Sequence, residues 1–253
     1  MAFSKSLIVA KTDLKMALKV SYVKYGLILV SAVGPLMILL LVGFLAFAAP
    51  AEEAVAVLKI MSPILSPMIG VFAIIPASLI AANALVGERE QNTLEPLLCT
   101  PLTDQELLVG KVLSSFIPSM ALLLGSLFIT EIGTIIMFMI SRLPLMLFPD
   151  IRGLLLLLGA GPLMILAMNS IMILISGRVS RVYEAYQTSG ATIMVFILPM
   201  LLPMVTLDAA GAMDPNAVLF TNLITIMIAA VLFVVTWILA ISRFNRDHMV
   251  SLV

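Results

Sequence analysis

Charge is what this chain has least of. Its 14 Lys and Arg and 14 Asp and Glu make up 11% of 253 residues, while 62% of the residues are hydrophobic. An ordinary soluble domain carries roughly 25% charged residues, so this composition excludes a water-soluble globule. The single cysteine, Cys99, excludes an intramolecular disulfide, and the single histidine, His248, sits among Arg243, Arg246 and Asp247 as a solvated tail residue. No Gly-x-x-x-x-Gly-Lys-Ser/Thr loop is present: Gly110-Lys111 is followed by Val112 and has no glycine at the required upstream position. The chain is therefore expected to carry no ATPase of its own. With no His-Glu-x-x-His and no Gly-x-Ser-x-Gly, it also lacks the equipment of a metalloprotease or serine hydrolase, and no enzymatic activity or metal site is expected.

What is present is long apolar runs. A hydrocarbon core about 30 Å thick is crossed by roughly 20 helical residues at 1.5 Å each. Six stretches qualify: Gly26 to Ala48, Ile60 to Val86, Val112 to Ile140, Gly153 to Ser176, Thr188 to Leu207, and Val218 to Ile241. These runs far exceed a barrel strand of about ten residues and lack strict alternation. The expected fold is an all-α integral membrane bundle of about six spans in a single domain. Pro199 and Pro203 should kink or break the fifth stretch. Glu131 is the one carboxylate inside an apolar run, and it falls where a helix starting near Thr103 reaches the far interface. Asn83, Asn169 and Asn222 are expected to make interhelical hydrogen bonds.

Basic residues accumulate in cytoplasmic loops. With six spans and both ends inside, the inner segments hold Lys5, Lys11, Lys15, Lys19, Lys24, Arg89, Lys111, Arg178, Arg181, Arg243 and Arg246, and the outer ones only Lys59, Arg142 and Arg152. Both termini are accordingly expected in the cytoplasm, with the protein in the cell membrane. The first apolar run exceeds the roughly 7 to 15 residues of a signal peptide, so it reads as a retained span. Residues 1–25 form a lead in which Lys11, Lys15 and Lys19 recur beside Leu14, Leu18 and Tyr22. This is an amphipathic helix suited to the headgroup layer, a positive topology signal, or both.

Residues 87–111, between spans two and three, are the longest polar stretch between spans. Thr103 and Glu106 fit a capping box, so a helix should begin there and continue through Lys111 into the membrane. Thr93 can cap a short helix from Leu94, with Pro96 in its first turn, where a missing amide hydrogen is harmless. On that helix Leu94, Leu97 and Leu98 share one face, away from Glu95. Such a face either dips into the lipid interface or docks a partner.

The run Gly87-Glu-Arg-Glu, Asn92-Thr-Leu-Glu-Pro-Leu-Leu, Thr100-Pro-Leu-Thr and Gly110-Lys111 resembles the hallmark that follows the second span in permeases of type-two ABC exporters. The inner loop Ser180-Arg-Val-Tyr-Glu-Ala-Tyr-Gln is also similar to that family's, and the resemblance extends over the whole chain. It implies that residues 87–111 hold the coupling helix, with Glu88, Arg89, Glu90, Thr93, Leu94, Glu95, Leu97 and Leu98 facing a separate ATP-binding subunit. It further implies spans at 26–86 and 112–241, a tail at 242–253, and a second permease subunit, identical or homologous. ATP and magnesium would reside on the partner chain. Membrane lipid is an expected contact and nucleic acid is not. The outer loop from Asp208 to Pro215 is too short for an added extracellular domain. Two other functions remain open from the residues: an ABC-type permease that passes mechanical work to a partner, and an ion-coupled secondary transporter.

Overall fold

The computed structural model describes residues 2–19, 21–91, 93, 100, 102–179, 181–206 and 215–244. In chain order the helices are α1 (Ala2–Lys19), α2 (Ser21–Ala48), α3 (Ala51–Ala82), α4 (Val86–Glu90), α5 (Asp104–Ser141), α6 (Ile151–Ser176), α7 (Val182–Met200), a 3-10 turn (Leu202–Thr206) and α8 (Pro215–Arg243). No strand occurs among the described residues. Five helical segments are long and apolar enough to cross a membrane: Tyr25–Ala48, Ala51–Glu90, Asp104–Ser141, Ile151–Ser176 and Asn216–Arg243. The chain is a helical, multi-pass membrane bundle.

The fifth apolar stretch is not among the five. α7 starts at Val182, so its first two turns carry Glu184, Gln187 and Thr188. It ends at Met200, just past Pro199, and the chain tightens into the 3-10 turn that contains Pro203. The prolines expected to kink this stretch therefore coincide with the end of its α-helix. The second helix also departs from its apolar boundary. It begins at Ala51, nine residues before Ile60, with Pro50 at its cap position and Glu52 and Glu53 in the first turn, where the helix dipole favours acidic side chains.

α3 and α6 form the centre of the bundle. α5 packs against both, with α1 and α2 on its outer side, while α7 and α8 cover α6 from the other side. Close approach is achieved with small residues. Ala73, Ala77 and Ala81 recur every four residues on α3 and are all buried, and Ala160, Gly161 and Ala167 are buried on α6. Asn169, fully buried on α6, ties three helices together. The amide orientation that satisfies both its ends donates to the Ala77 carbonyl at 3.1 Å and accepts from Phe116 N and Ser115 Oγ at 3.2 Å. The perimeter is apolar too: Leu29, Leu36, Leu40, Phe44 and Phe47 stand exposed on α2, and Met227, Val231, Val234 and Ile238 on α8. An apolar perimeter around an apolar core suits a lipid solvent and no other.

Candidate functional site: the junction around α4

The polar segment after α3 returns to the bundle through α4. Residues 83–85 form a turn after α3, and the hydroxyl of Ser176, at the end of α6, accepts from Leu85 N at 3.1 Å and Val86 N at 3.0 Å. The free amides that open α4 are thus satisfied by a different helix. At its other end Thr93 closes α4, donating from N and from Oγ1 to the Glu88 carbonyl at 2.9 and 3.2 Å. The cap that Thr93 was expected to place on a helix from Leu94 concerns residues outside those described, as do Leu94, Glu95, Leu97, Leu98 and Cys99.

Glu88 and Arg89 point inward. The Glu88 carboxylate accepts from Lys111 Nζ on α5, and the same ammonium pairs with Asp13 Oδ2 on α1 at 2.9 Å. Lys111 is 1% exposed, and the two carboxylate side chains are 13% and 15% exposed. One cation therefore serves two acids from two different helices, and the triad carries a net negative charge. Burial pushes the Asp13 carboxyl above the ordinary aspartate range, and the Lys111 ammonium draws it only part of the way back. Glu88 Oε2 has no hydrogen-bond partner among the described residues, so the desolvation is not fully offset.

Arg89 reaches in the other direction. Its guanidinium donates to the Val179 carbonyl and, at 3.2 Å, to the Gly177 carbonyl, in the loop between α6 and α7. These carbonyls lie at and beyond the C-terminus of α6, where a cation complements the helix dipole. Glu90 is exposed, and its carboxylate accepts from Val182 N at 2.8 Å, the first amide of α7. Five residues of α4 thereby connect α1, α5, α6 and α7.

α5 begins where the sequence indicates. Thr103 Oγ1 accepts from Glu106 N at 3.2 Å, Glu106 Oε2 accepts from Thr103 N at 2.9 Å, and the helix runs unbroken to Ser141. α1 lies along this start. Ser6 Oγ donates to the Glu106 carbonyl at 3.0 Å, and Val9 sits so close to Gly110 that a Cβ there would lie 2.9 Å from the valine Cβ. Lys11 and Lys15 are exposed, while Ser6, Val9 and Ala10 are buried.

Of the eight residues expected to face an ATPase, Glu90 and Thr93 are exposed, Glu88 and Arg89 are turned into the bundle, and the other four lie outside the described residues. Sequence reasoning missed Asp13 and took Lys111 as a topology charge and as part of the exporter hallmark, not as the partner of Glu88. A signal existed for Lys111, since it stands eight residues after a cap and opens an apolar run, where an unpaired cation is costly. The position of Asp13 carried none.

Glu131 and Asn222 lie away from this junction, and Asn83 lies in the turn that leads into it. Glu131 Oε2 accepts from Phe148 N at 3.4 Å, which places it beside the loop at the other end of α5. Asn222 donates to the Arg152 carbonyl at 2.9 Å, an interhelical bond as expected. Asn83 makes none through Oδ1. Among the described residues no group of three or more His, Cys, Asp or Glu could hold a metal ion.

No protein-family model matches this chain, and no curated protein matches it.

Proposed function

We propose that this chain is the membrane-spanning permease subunit of an ATP-driven exporter of the ABC class, paired with a second permease subunit and powered by a separate ATP-binding subunit. The supporting observation is the junction around α4, where a short polar segment leaving the bundle is fastened to four of its helices by charge and hydrogen bonds. In this reading α7 and the 3-10 turn make the sixth crossing, both ends of the chain are cytoplasmic, and residues 90–98 present the docking surface.

Glu88 and Arg89 then anchor the coupling segment and do not touch the ATPase. When the ATP-binding subunits close, displacement of residues 90–98 reaches α5 and α1 through Glu88 and Lys111. It reaches α6 and α7 through Arg89 and Glu90. A segment attached through one flexible loop would dissipate that motion; one attached at several points conveys it.

Replacing Leu94 and Leu97 with Asp tests the docking surface. A partner ATP-binding subunit should co-purify with the unaltered protein and be lost from the variant, while the variant remains in the membrane. Retention of the subunit at normal stoichiometry would refute the assignment.

One observation favours the second reading, in which the permease transmits force without moving a substrate. The hydroxyls of Ser119, Ser126 and Thr130 along α5 are all bonded to carbonyls of their own helix and are buried. They line no polar path. Stimulation of ATP hydrolysis by a transported compound, with its vectorial movement in liposomes, distinguishes transport from force transmission.

A further inference from the structure

At the end of the bundle opposite α4, a half-open cavity of about 710 Å³ lies between α3, the loop before α6, the start of α6 and the start of α8. α6 has 26 residues, so its two ends lie about 39 Å apart. That exceeds the roughly 30 Å hydrocarbon core. With Ser176 at the α4 junction on one surface, the cavity at Ile151 and Arg152 sits at headgroup level on the other.

The walls are mixed in a specific way. Leu58, Pro63, Phe148 and Val218 supply an apolar floor, and Lys59 and Arg152 supply two cations. The one lining carboxylate is already committed: Asp150 Oδ1 accepts from Gly153 N at 3.0 Å as the cap of α6 and from Ser62 Oγ at 3.4 Å, while Oδ2 stands 3.7 Å from Arg152 Nη1. At that separation, with both groups about a third exposed, Asp150 holds only one edge of a guanidinium that has five donors. The cavity is therefore net cationic. Asn222 donates to the Arg152 carbonyl and so ties the backbone that carries this cation to α8.

The surface around the cavity decides where the ligand comes from. Leu147 and Ile151 line it and are 51% and 72% exposed. Large apolar side chains bared at the rim suit access from lipid and not from water. We propose that this cavity is a binding site for an anionic membrane lipid, whose phosphate pairs with Lys59 and Arg152 and whose first acyl segments lie on Leu58, Phe148 and Val218. The size falls within the roughly 300 to 1,000 Å³ of small-molecule sites, enough for a headgroup and the upper part of a chain. The proposal does not rest on the exporter reading, because binding to the isolated chain involves no ATPase.

The test uses the full chain purified in a neutral detergent, with lipid added and bound lipid counted by native mass spectrometry. Phosphatidylglycerol should bind saturably and at least tenfold more tightly than phosphatidylcholine. The Lys59→Gln/Arg152→Gln double variant should lose that preference, and Lys59→Arg/Arg152→Lys should keep it, which separates charge from folding. Leu219→Trp, which fills the cavity from the exposed side of α8, should reduce binding while leaving both cations in place. Equal affinity for the two lipids, retention of the preference in the Gln variant, or displacement of the lipid by inorganic phosphate alone would each overturn the assignment.

Discussion

Replacing Lys111 with Met removes the cation from the triad and leaves the volume of the side chain nearly unchanged. Asp13 and Glu88 would then face each other across a buried space with no counter-charge, each only about one-seventh exposed. Breaking a buried pair by deleting one partner costs about 3 to 5 kcal/mol. Here two acids share the loss, so the upper part of that range applies unless one acid takes up a proton. At roughly 1.4 kcal/mol per tenfold change, the folded-to-unfolded ratio should fall by about three to three and a half orders of magnitude. The triple variant Asp13→Asn/Lys111→Met/Glu88→Gln removes all three charges and should recover most of that loss, because neutral replacements of a buried pair are often close to isoenergetic. Thermal unfolding in detergent, followed by loss of helical circular dichroism, reads both. A single Lys111→Met variant as stable as the parent, or a triple variant no better than the single, would refute the view that this ammonium balances two acids.

Four further outcomes follow from the same contacts. The Lys111→Met variant should become more stable as pH is lowered from about 7 towards 5: with its lowering partner gone, Asp13 titrates still higher in the folded state than in the unfolded state, so the folded state binds more protons and gains on acidification, and a variant that loses stability over that interval would contradict this. Gly110→Ala should loosen α1, because the new methyl meets Val9 Cβ at 2.9 Å and the Ser6 backbone oxygen at 3.1 Å; overpacking of this kind costs about 1 to 3 kcal/mol, and faster hydrogen exchange confined to residues 5–15 would report it. Arg89→Lys cannot reproduce the two-carbonyl contact of a guanidinium, so exchange at amides 177–182 should quicken, as in Arg89→Ala, if the fork and not the charge holds the loop. Asn169→Leu should cost only about 0.6 to 1.7 kcal/mol in thermal unfolding despite its three bonds, in line with interhelical polar contacts in membranes.

Several of these features are legible in the sequence because local chemistry alone dictates them. The Thr103–Glu106 cap fixed the start of α5, since both partners lie three residues apart and no tertiary contact is needed. The apolar runs at 26–48, 112–140, 153–176 and 218–241 became helices for the same reason that lipid admits no other open backbone. The amino end of α3 was missed because helix formation there rests on Pro50 and two glutamates and not on hydropathy. The break expected at Pro199 and Pro203 coincides with the end of α7 at Met200, while its start at Val182 was missed because the polar residues Glu184 and Gln187 read as loop by hydropathy.

The junction was legible only by half. The charged run Glu88-Arg89-Glu90 marks itself in so apolar a chain, but sequence does not say which way each side chain points. On a five-residue helix successive residues diverge by about 100°, so Glu88 and Arg89 reach different neighbours while Glu90 stays exposed. Their partners lie 23 residues away at Lys111 and about 90 residues away at Gly177 and Val179. Asp13 was invisible for the same reason: it lies in a basic lead helix, and only the packing of α1 along α5 brings it to Lys111.

If this bundle draws its work from a separate nucleotide-hydrolysing subunit through residues 90–98, as we propose, the coupling is measurable in proteoliposomes. The rate to measure is ATP hydrolysis by the ATP-binding subunit, with the unaltered chain and with the Leu94→Asp/Leu97→Asp variant. The unaltered chain should change the hydrolysis rate, and the variant, although folded and inserted, should not. Hydrolysis indifferent to the chain, or equally responsive to the variant, would contradict it.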